Sequence, residues 1–255
     1  MHKIKSRKSP IRASFLKRVA SHLKIPKIKA REIFILARNQ DDDGAIMHGN
    51  PNKPYVALTF DDGPNPVQTS KILDILRRYG VKATFFIVGK KARKYPELCR
   101  RIVAEGHDIG NHTYSHTNLV AKTRRQINSE IERAKAAIFD VTGVNPVFFR
   151  PPLAVYNNRL KRMVTEKGYK FVLWSVRTYD SHIFNLKGHR MILQNIRGKI
   201  KAGDIILLHD SKSRMKSFVD RSATVRALPL ILDEINSKKL KPVKLSTLLK
   251  HAGKR

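Results

Sequence analysis

The 255-residue chain is 41% hydrophobic and 28% charged, enough apolar material for one large core, or for a domain of roughly 200 residues with an extension. Its 52 Lys and Arg against 20 Asp and Glu give a formal net charge of +32, which implies adhesion to polyanions but says nothing of fold. The single cysteine, Cys99, excludes an intramolecular disulfide and a cysteine metal cluster, and no apolar run approaches the roughly 20 residues that cross a bilayer.

Residues 1 to 40 carry twelve Lys or Arg and one acid, Glu32. This shift in composition divides the chain into a basic extension, residues 1–50, and a domain, residues 51–255. The opening run Lys3, Lys5, Arg7, Lys8 is not followed by the apolar stretch of a signal peptide. The expected location is therefore the cytoplasm or the periphery of the inner membrane face. Phe15, Leu16, Val19, Ala20 and Leu23 recur at helical spacing among basic residues, which fits an amphipathic helix on an anionic membrane surface, or a tail or helix packed on its own domain. Asp41, Asp42, Asp43 and Gly44 read as a loop.

From about residue 54 short β-rich runs alternate with helical patterns, the signature of βα units around a parallel sheet or barrel. The expected strands are Tyr55 to Phe60, Ala83 to Val88, Val147 to Arg150, Phe171 to Trp174 and Ile205 to Leu208. Helical periodicity covers Thr69 to Arg78, Tyr95 to Glu105, Arg124 to Phe139, Asn158 to Lys167 and Met191 to Lys201. Cys99, within the second of these, reads as a small buried hydrophobe.

Polar residues follow the apolar runs: Asp61 and Asp62 after the first, Arg150 ending another, His209 and Asp210 after the last. In a βα barrel the strand C-termini converge on one face, so residues about 150 apart in sequence can meet. Metal-assisted hydrolysis of an amide or ester needs about three ligands, an open position, a base and an acid. His112 and His116, at i and i+4, put two imidazoles on one side of a helical turn or tight loop; alone they equally suit a surface pair. In Thr59-Phe60-Asp61-Asp62-Gly63-Pro64 one carboxylate can ligate while its neighbour faces a water, although an Asp-Asp-Gly turn is also an ordinary loop.

Together these blocks resemble the polysaccharide deacetylase family, the group with the NodB homology domain, also known as carbohydrate esterase family 4. TFDDGP at 59 to 64, HTYSH at 112 to 116, RPP at 150 to 152, WSVRTYD at 174 to 180 and LLHD at 207 to 210 occur in the family's order, and ATFFIVG at 83 to 89 looks like its second strand. The resemblance covers roughly residues 54 to 250 and implies a distorted α/β barrel of the NodB homology type. It implies that Asp62, His112 and His116 bind a divalent metal, usually zinc. It further implies Asp61 as general base, Arg150 as the residue that orients it, His209 as general acid, Asp180 as the aspartate holding that histidine, and the Leu153 N–H as an oxyanion donor. The implied substrate is an N-acetylated glycan or lipid-linked saccharide. A different acyl group (a formyl amide, an O-acetyl ester, a cyclic imide) or a degenerate deacetylase that binds polyanions are the alternatives. Specific nucleic-acid binding is not expected.

The sequence departs from the family at Leu153 and Ala154, where a Tyr-Gly pair is usual, at Arg177, where an Asp is usual, and at Ser181, where a Trp is common. His107, His182 and His189 fall in no block and read as structural or exposed. Trp174 reads as core.

Overall fold

The computed structural model describes residues 34–35, 44–180, 188–212 and 222–250; the segment Phe15 to Leu23, Ser181 and His182 lie outside them. β1 (Phe34–Ile35) pairs antiparallel with β6 (Val155–Tyr156) as a separate two-stranded ribbon. The main sheet starts at β2 (Tyr55–Asp61), followed by α1 (Gln68–Arg78), β3 (Thr84–Ile87), α2 (Gly89–Lys94), α3 (Pro96–Ala104) and β4 (Asp108–Asn111). α4 (Arg124–Thr142), β5 (Phe148–Phe149), a 3-10 turn at Pro152–Ala154, α5 (Asn158–Thr165), β7 (Lys170–Phe171) and β8 (Val176–Arg177) come next. The chain then runs through α6 (His189–Ile196), β9 (Ile205–His209), α7 (Ser222–Ser237), β10 (Lys241–Val243) and α8 (Leu245–Lys250).

The order β7-β5-β4-β3-β2-β9-β8 is parallel at every pairing. One edge of β2 is taken by β9; the other is shared by β10 at Tyr55–Ala57 and β3 at Thr59–Asp61. The outermost strands, β7 and β8, are consecutive in the chain, so the sheet curls into a half-barrel. Residues 46–48 cross the gap between its edges: Ile46 bridges Val172 and His48 bridges Asp204. These residues, which composition groups with the basic extension, thus hydrogen-bond into the sheet through Ile46 N–H to Phe171 O and Leu173 N–H to Ile46 O.

Strand alternation sorts side chains between two cores. Val56, Leu58 and Phe60 of β2, Phe85 and Ile87 of β3, and Ile206 and Leu208 of β9 pack outward against Ile72, Leu73 and Leu76 of α1 and Leu228 and Ile231 of α7. Ala57, Phe86, Phe149, Phe171 and Leu207 fill the concave side. Thr59 and Asp61 alternate with the outward set of β2, so they face the concave side too. Cys99 is buried in the outer core, as expected of a small hydrophobe.

Local sequence explains the helix ends. Thr123 and Gln126 form a capping box at the start of α4, and Gly143, at φ 69°, ends it; Asn157 caps α5 by accepting from Leu160 N–H. Some strand expectations ran too long: the main-sheet strands end at Phe149 and Phe171, with the Arg150 and Leu173 carbonyls turned to polar side chains and Val172 bridged to Ile46 instead. β4 went unread because Asp-Ile-Gly-Asn has neither length nor alternation; Gly110 is there because a Cβ would lie 2.5 Å from the Phe86 ring.

Candidate active site

The C-terminal ends of β2, β4, β5 and β9 bring the predicted residues together. Asp61 closes β2, and Asp62 leaves it in a left-handed conformation at φ 77°. That strained backbone is pinned by Lys91 of α2, whose Nζ donates to Asp62 O at 2.5 Å, Ser211 Oγ at 2.8 Å and Lys212 O at 2.9 Å. Gly63 follows where a side chain has no room, since a Cβ would fall 2.1 Å from Asp210 Oδ2. Asp210 accepts from Thr69 Oγ1 at 2.6 Å, and burial pushes its carboxyl up to about 6.

His112 and His116 sit in the loop after β4, which settles the choice between helical turn and tight loop in favour of the loop. Thr113 and His116 adopt φ 64° and 55°, and side chains stand in for helical bonds: Asn111 Oδ1 accepts from Thr113 N–H, Thr113 Oγ1 from His116 N–H, and Glu130 from Ser115 N–H and Oγ–H. His116 Nε2 lies 2.8 Å and His112 Nε2 3.5 Å from Asp62 Oδ1. The other nitrogen of His112, Nδ1, meets the Arg150 carbonyl at 2.8 Å. A carbonyl only accepts, so Nδ1 carries the proton and Nε2 presents its lone pair.

This trio fits a divalent metal. Its ligand atoms lie within 4.8 Å of one another, it combines one carboxylate with two imidazoles, and the backbone partner behind His112 is the kind that fixes a metal-binding tautomer. Burial opposes the charge on Asp62, yet the two imidazoles outweigh it and hold the carboxyl well below its usual range. Burial likewise opposes protonation of His112, but Asp61 and Asp62 raise it overall.

Arg150 is wholly buried, and each of its three nitrogens has a partner. Nη1 donates to Asp61 Oδ1 at 2.7 Å and Thr59 Oγ1 at 2.8 Å, Nη2 to Leu173 O, and Nε to Val172 O. Its Cζ lies 4.0 Å from the Phe86 ring centroid. Asp61 Oδ1 is thereby fixed, while Oδ2 lies 3.9 Å from His112 Nε2. Across the concave face, Asp180 Oδ1 accepts from His209 Nδ1 at 2.8 Å and its Oδ2 from His209 N–H and Thr224 Oγ1. That leaves Nε2 as the ring nitrogen of His209 that Asp180 does not engage.

Leu153 directly follows Pro152 with φ 60°, and Ala154 follows with φ 54°. The backbone therefore keeps a left-handed turn at the position where the family's glycine stands, with a Cβ present. His107 is buried, its Nδ1 accepting from Ala83 N–H at 3.0 Å, as a structural residue should be. Trp174 is buried in the concave-side core, and His189 opens α6. Sequence reasoning missed Lys91, Asn111, Glu130 and Thr224; they act through backbone groups and folded proximity, which leave no pattern along the chain.

A profile of the polysaccharide deacetylase family matches residues 48–172. A peptidoglycan-N-acetylglucosamine deacetylase of Bacillus cereus is 36% identical over 218 residues, 85% of this chain and 99% of that protein. The peptidoglycan-N-acetylmuramic acid deacetylase PdaA of Bacillus subtilis is 34% identical over 166 residues, 65% of this chain and 63% of that one. A crystal structure of a peptidoglycan N-acetylglucosamine deacetylase superposes with a TM-score of 0.71 at 36% identity, covering 82% of this chain and 94% of the other. The chain belongs to the polysaccharide deacetylase family, a group of hydrolases that includes these peptidoglycan deacetylases.

Proposed function

We propose that the protein hydrolyses the N-acetyl groups of an N-acetylated glycan with the help of a divalent metal, zinc in the first instance. The observation that carries this reading is the convergence, on one face, of three ligand atoms at Asp62, His112 and His116 with the Arg150–Asp61 pair on one side and the Asp180–His209 pair on the other. A metal held by that trio supplies Lewis-acid polarisation of the acetyl carbonyl and acidifies a water.

The chain's own groups account for the proton transfers. Asp61, held in place by Arg150, takes a proton from the attacking water. The oxygen adds to the acetyl carbon, and the Leu153 N–H is the candidate donor to the developing oxyanion. His209 then gives the proton on Nε2 to the sugar nitrogen as the C–N bond breaks, releasing acetate and a free amine. Asp180, accepting from Nδ1, orients the imidazole and leaves Nε2 for this transfer.

The test is acetate release from N-acetylglucosamine oligomers by zinc-loaded protein beside chelator-treated protein. Release that falls with the chelator and returns with zinc supports the reading; release indifferent to the chelator removes the metal from it. If zinc binds and no acetate appears, the choice passes to other acyl substrates or to a polyanion-binding role.

A further inference from the structure

We propose that Arg177 is a specificity residue that binds a carboxylate on the substrate sugar, an inference that rests on the deacetylase reading above. On β8, Val176 packs into the outer core with Ile192 and Ile196 of α6, so strand alternation turns Arg177 to the concave side. Its register partner is Leu207 of β9, a concave-side residue, and His209 lies two residues further along that strand. The guanidinium lies beside an exposed ring: its Cζ is 4.9 Å from the ring centroid of Tyr179, a residue 42% exposed.

Among the described residues this cation has no ion pair, and its Nε is buried with no hydrogen-bond partner. The nearest acid in sequence, Asp180, is committed, one oxygen to His209 Nδ1 and the other to His209 N–H and Thr224 Oγ1. Arg150 on the same concave face differs in that each of its three nitrogens has a hydrogen-bond partner. A partly desolvated guanidinium with unmade hydrogen bonds is costly, and a docked anion offsets that cost. The planar guanidinium offers its N–H groups in pairs whose spacing matches the two oxygens of a carboxylate. The position normally holds an aspartate in this family, so the charge facing the sugar is reversed.

Such a carboxylate can come from a lactyl ether on the acetylated ring, as in N-acetylmuramic acid, or from a neighbouring uronic acid. Three oligomers of matched length separate these: neutral N-acetylglucosamine, alternating N-acetylglucosamine and N-acetylmuramic acid, and alternating N-acetylglucosamine and glucuronic acid. Deacetylation of each by the zinc-loaded full chain is compared with that by Arg177→Gln and Arg177→Lys, and calorimetric binding to the metal-free protein is measured in parallel. The wild type is expected to favour one carboxylated oligomer over the neutral one by about tenfold or more in kcat/KM, and the favoured oligomer names the source. Arg177→Gln brings the ratio near one through KM, while Arg177→Lys keeps part of it. Because Gln changes the net charge by one out of +32, general attraction to polyanions does not explain a loss of that size. No preference in the wild type, or an equal loss on all three oligomers in the Gln variant, overturns the assignment. Absence of turnover on all three defeats the deacetylase reading instead, and the binding preference still decides the role of Arg177.

Discussion

The two sides of the site are built on opposite terms. On the side of β2, β4 and β5, polar groups are closed in on one another: Arg150 bonds to four acceptors, His112 to a carbonyl, Asp62 to two imidazoles, and Lys91 staples the loop behind. On the side of β8 and the turn after β5, Arg177 holds unmade hydrogen bonds, and Leu153 and Ala154 stand in left-handed backbone with side chains attached. The proposed metal ligands and the proposed base sit in the closed part. Among the described residues the open part carries the departures from the family's pattern, Leu153, Ala154 and Arg177, which is where a substrate preference can change without disturbing the chemistry.

Breaking the closed side has the largest effects. Asp61→Asn keeps shape and the Arg150 contact but removes the base; kcat is expected to fall by 10² to 10⁴, roughly the worth of general base catalysis, while zinc affinity measured by competition with a chelating dye stays near wild type. A comparable loss of zinc would make Asp61 a ligand instead. Arg150→Met leaves the Asp61 carboxylate, 4% exposed, without its cation, and about 3–5 kcal/mol of stability should go with it. A denaturant midpoint close to wild type would show that water or a shift of Asp61 replaces the guanidinium.

A smaller effect comes from His107, outside the site. Burial, reinforced by Lys82, depresses its pKa from 6.5 to about 4. The unfolded chain therefore takes up this proton first on acidification. The stability His107 contributes is intact above pH 6.5 and is lost progressively as pH falls toward 4, with a limiting slope of about 1.4 kcal/mol per pH unit. His107→Gln, which still offers an acceptor to Ala83 N–H, should flatten the difference between urea midpoints at pH 7 and pH 5. An unchanged slope would assign the acid sensitivity to other groups.

The same contrast governs what the sequence made legible. Adjacent carboxylates, the HxxxH pair and the strand-ending Arg150 and His209 were readable because each motif is contiguous or follows an apolar run, and a βα barrel gathers strand ends. The scaffold was not. Lys91 reaches Asp62 and Lys212 through backbone carbonyls, and Thr224 meets Asp180 from 44 residues away, so neither leaves a pattern along the chain. Ile46 and His48, which cross the barrel's gap, sit in a stretch too short and mixed to read as a strand. Arg177 was visible as a departure, but its unpaired Nε is a property of the folded chain alone.

The subtlest probe of the open side is Ala154→Gly. An alanine at φ 54° pays a steric cost between its Cβ and the backbone of about 1–2 kcal/mol, and glycine removes it while adding roughly 0.5–1 kcal/mol of unfolded-state entropy. The net expectation is a stabilisation of a few tenths to about 1 kcal/mol, read as a higher denaturant midpoint with an unchanged m-value. Because Leu153, the candidate oxyanion donor, shares this turn, activity on the N-acetylglucosamine oligomer reports something separate. If strain holds the Leu153 N–H in place, the more stable variant turns over more slowly; if prolines 151 and 152 and the bond from Ala154 N–H to Pro151 O hold it, stability rises and kcat stays. A loss of stability would mean that the alanine methyl, buried in the concave-side core, is worth more than the strain it causes.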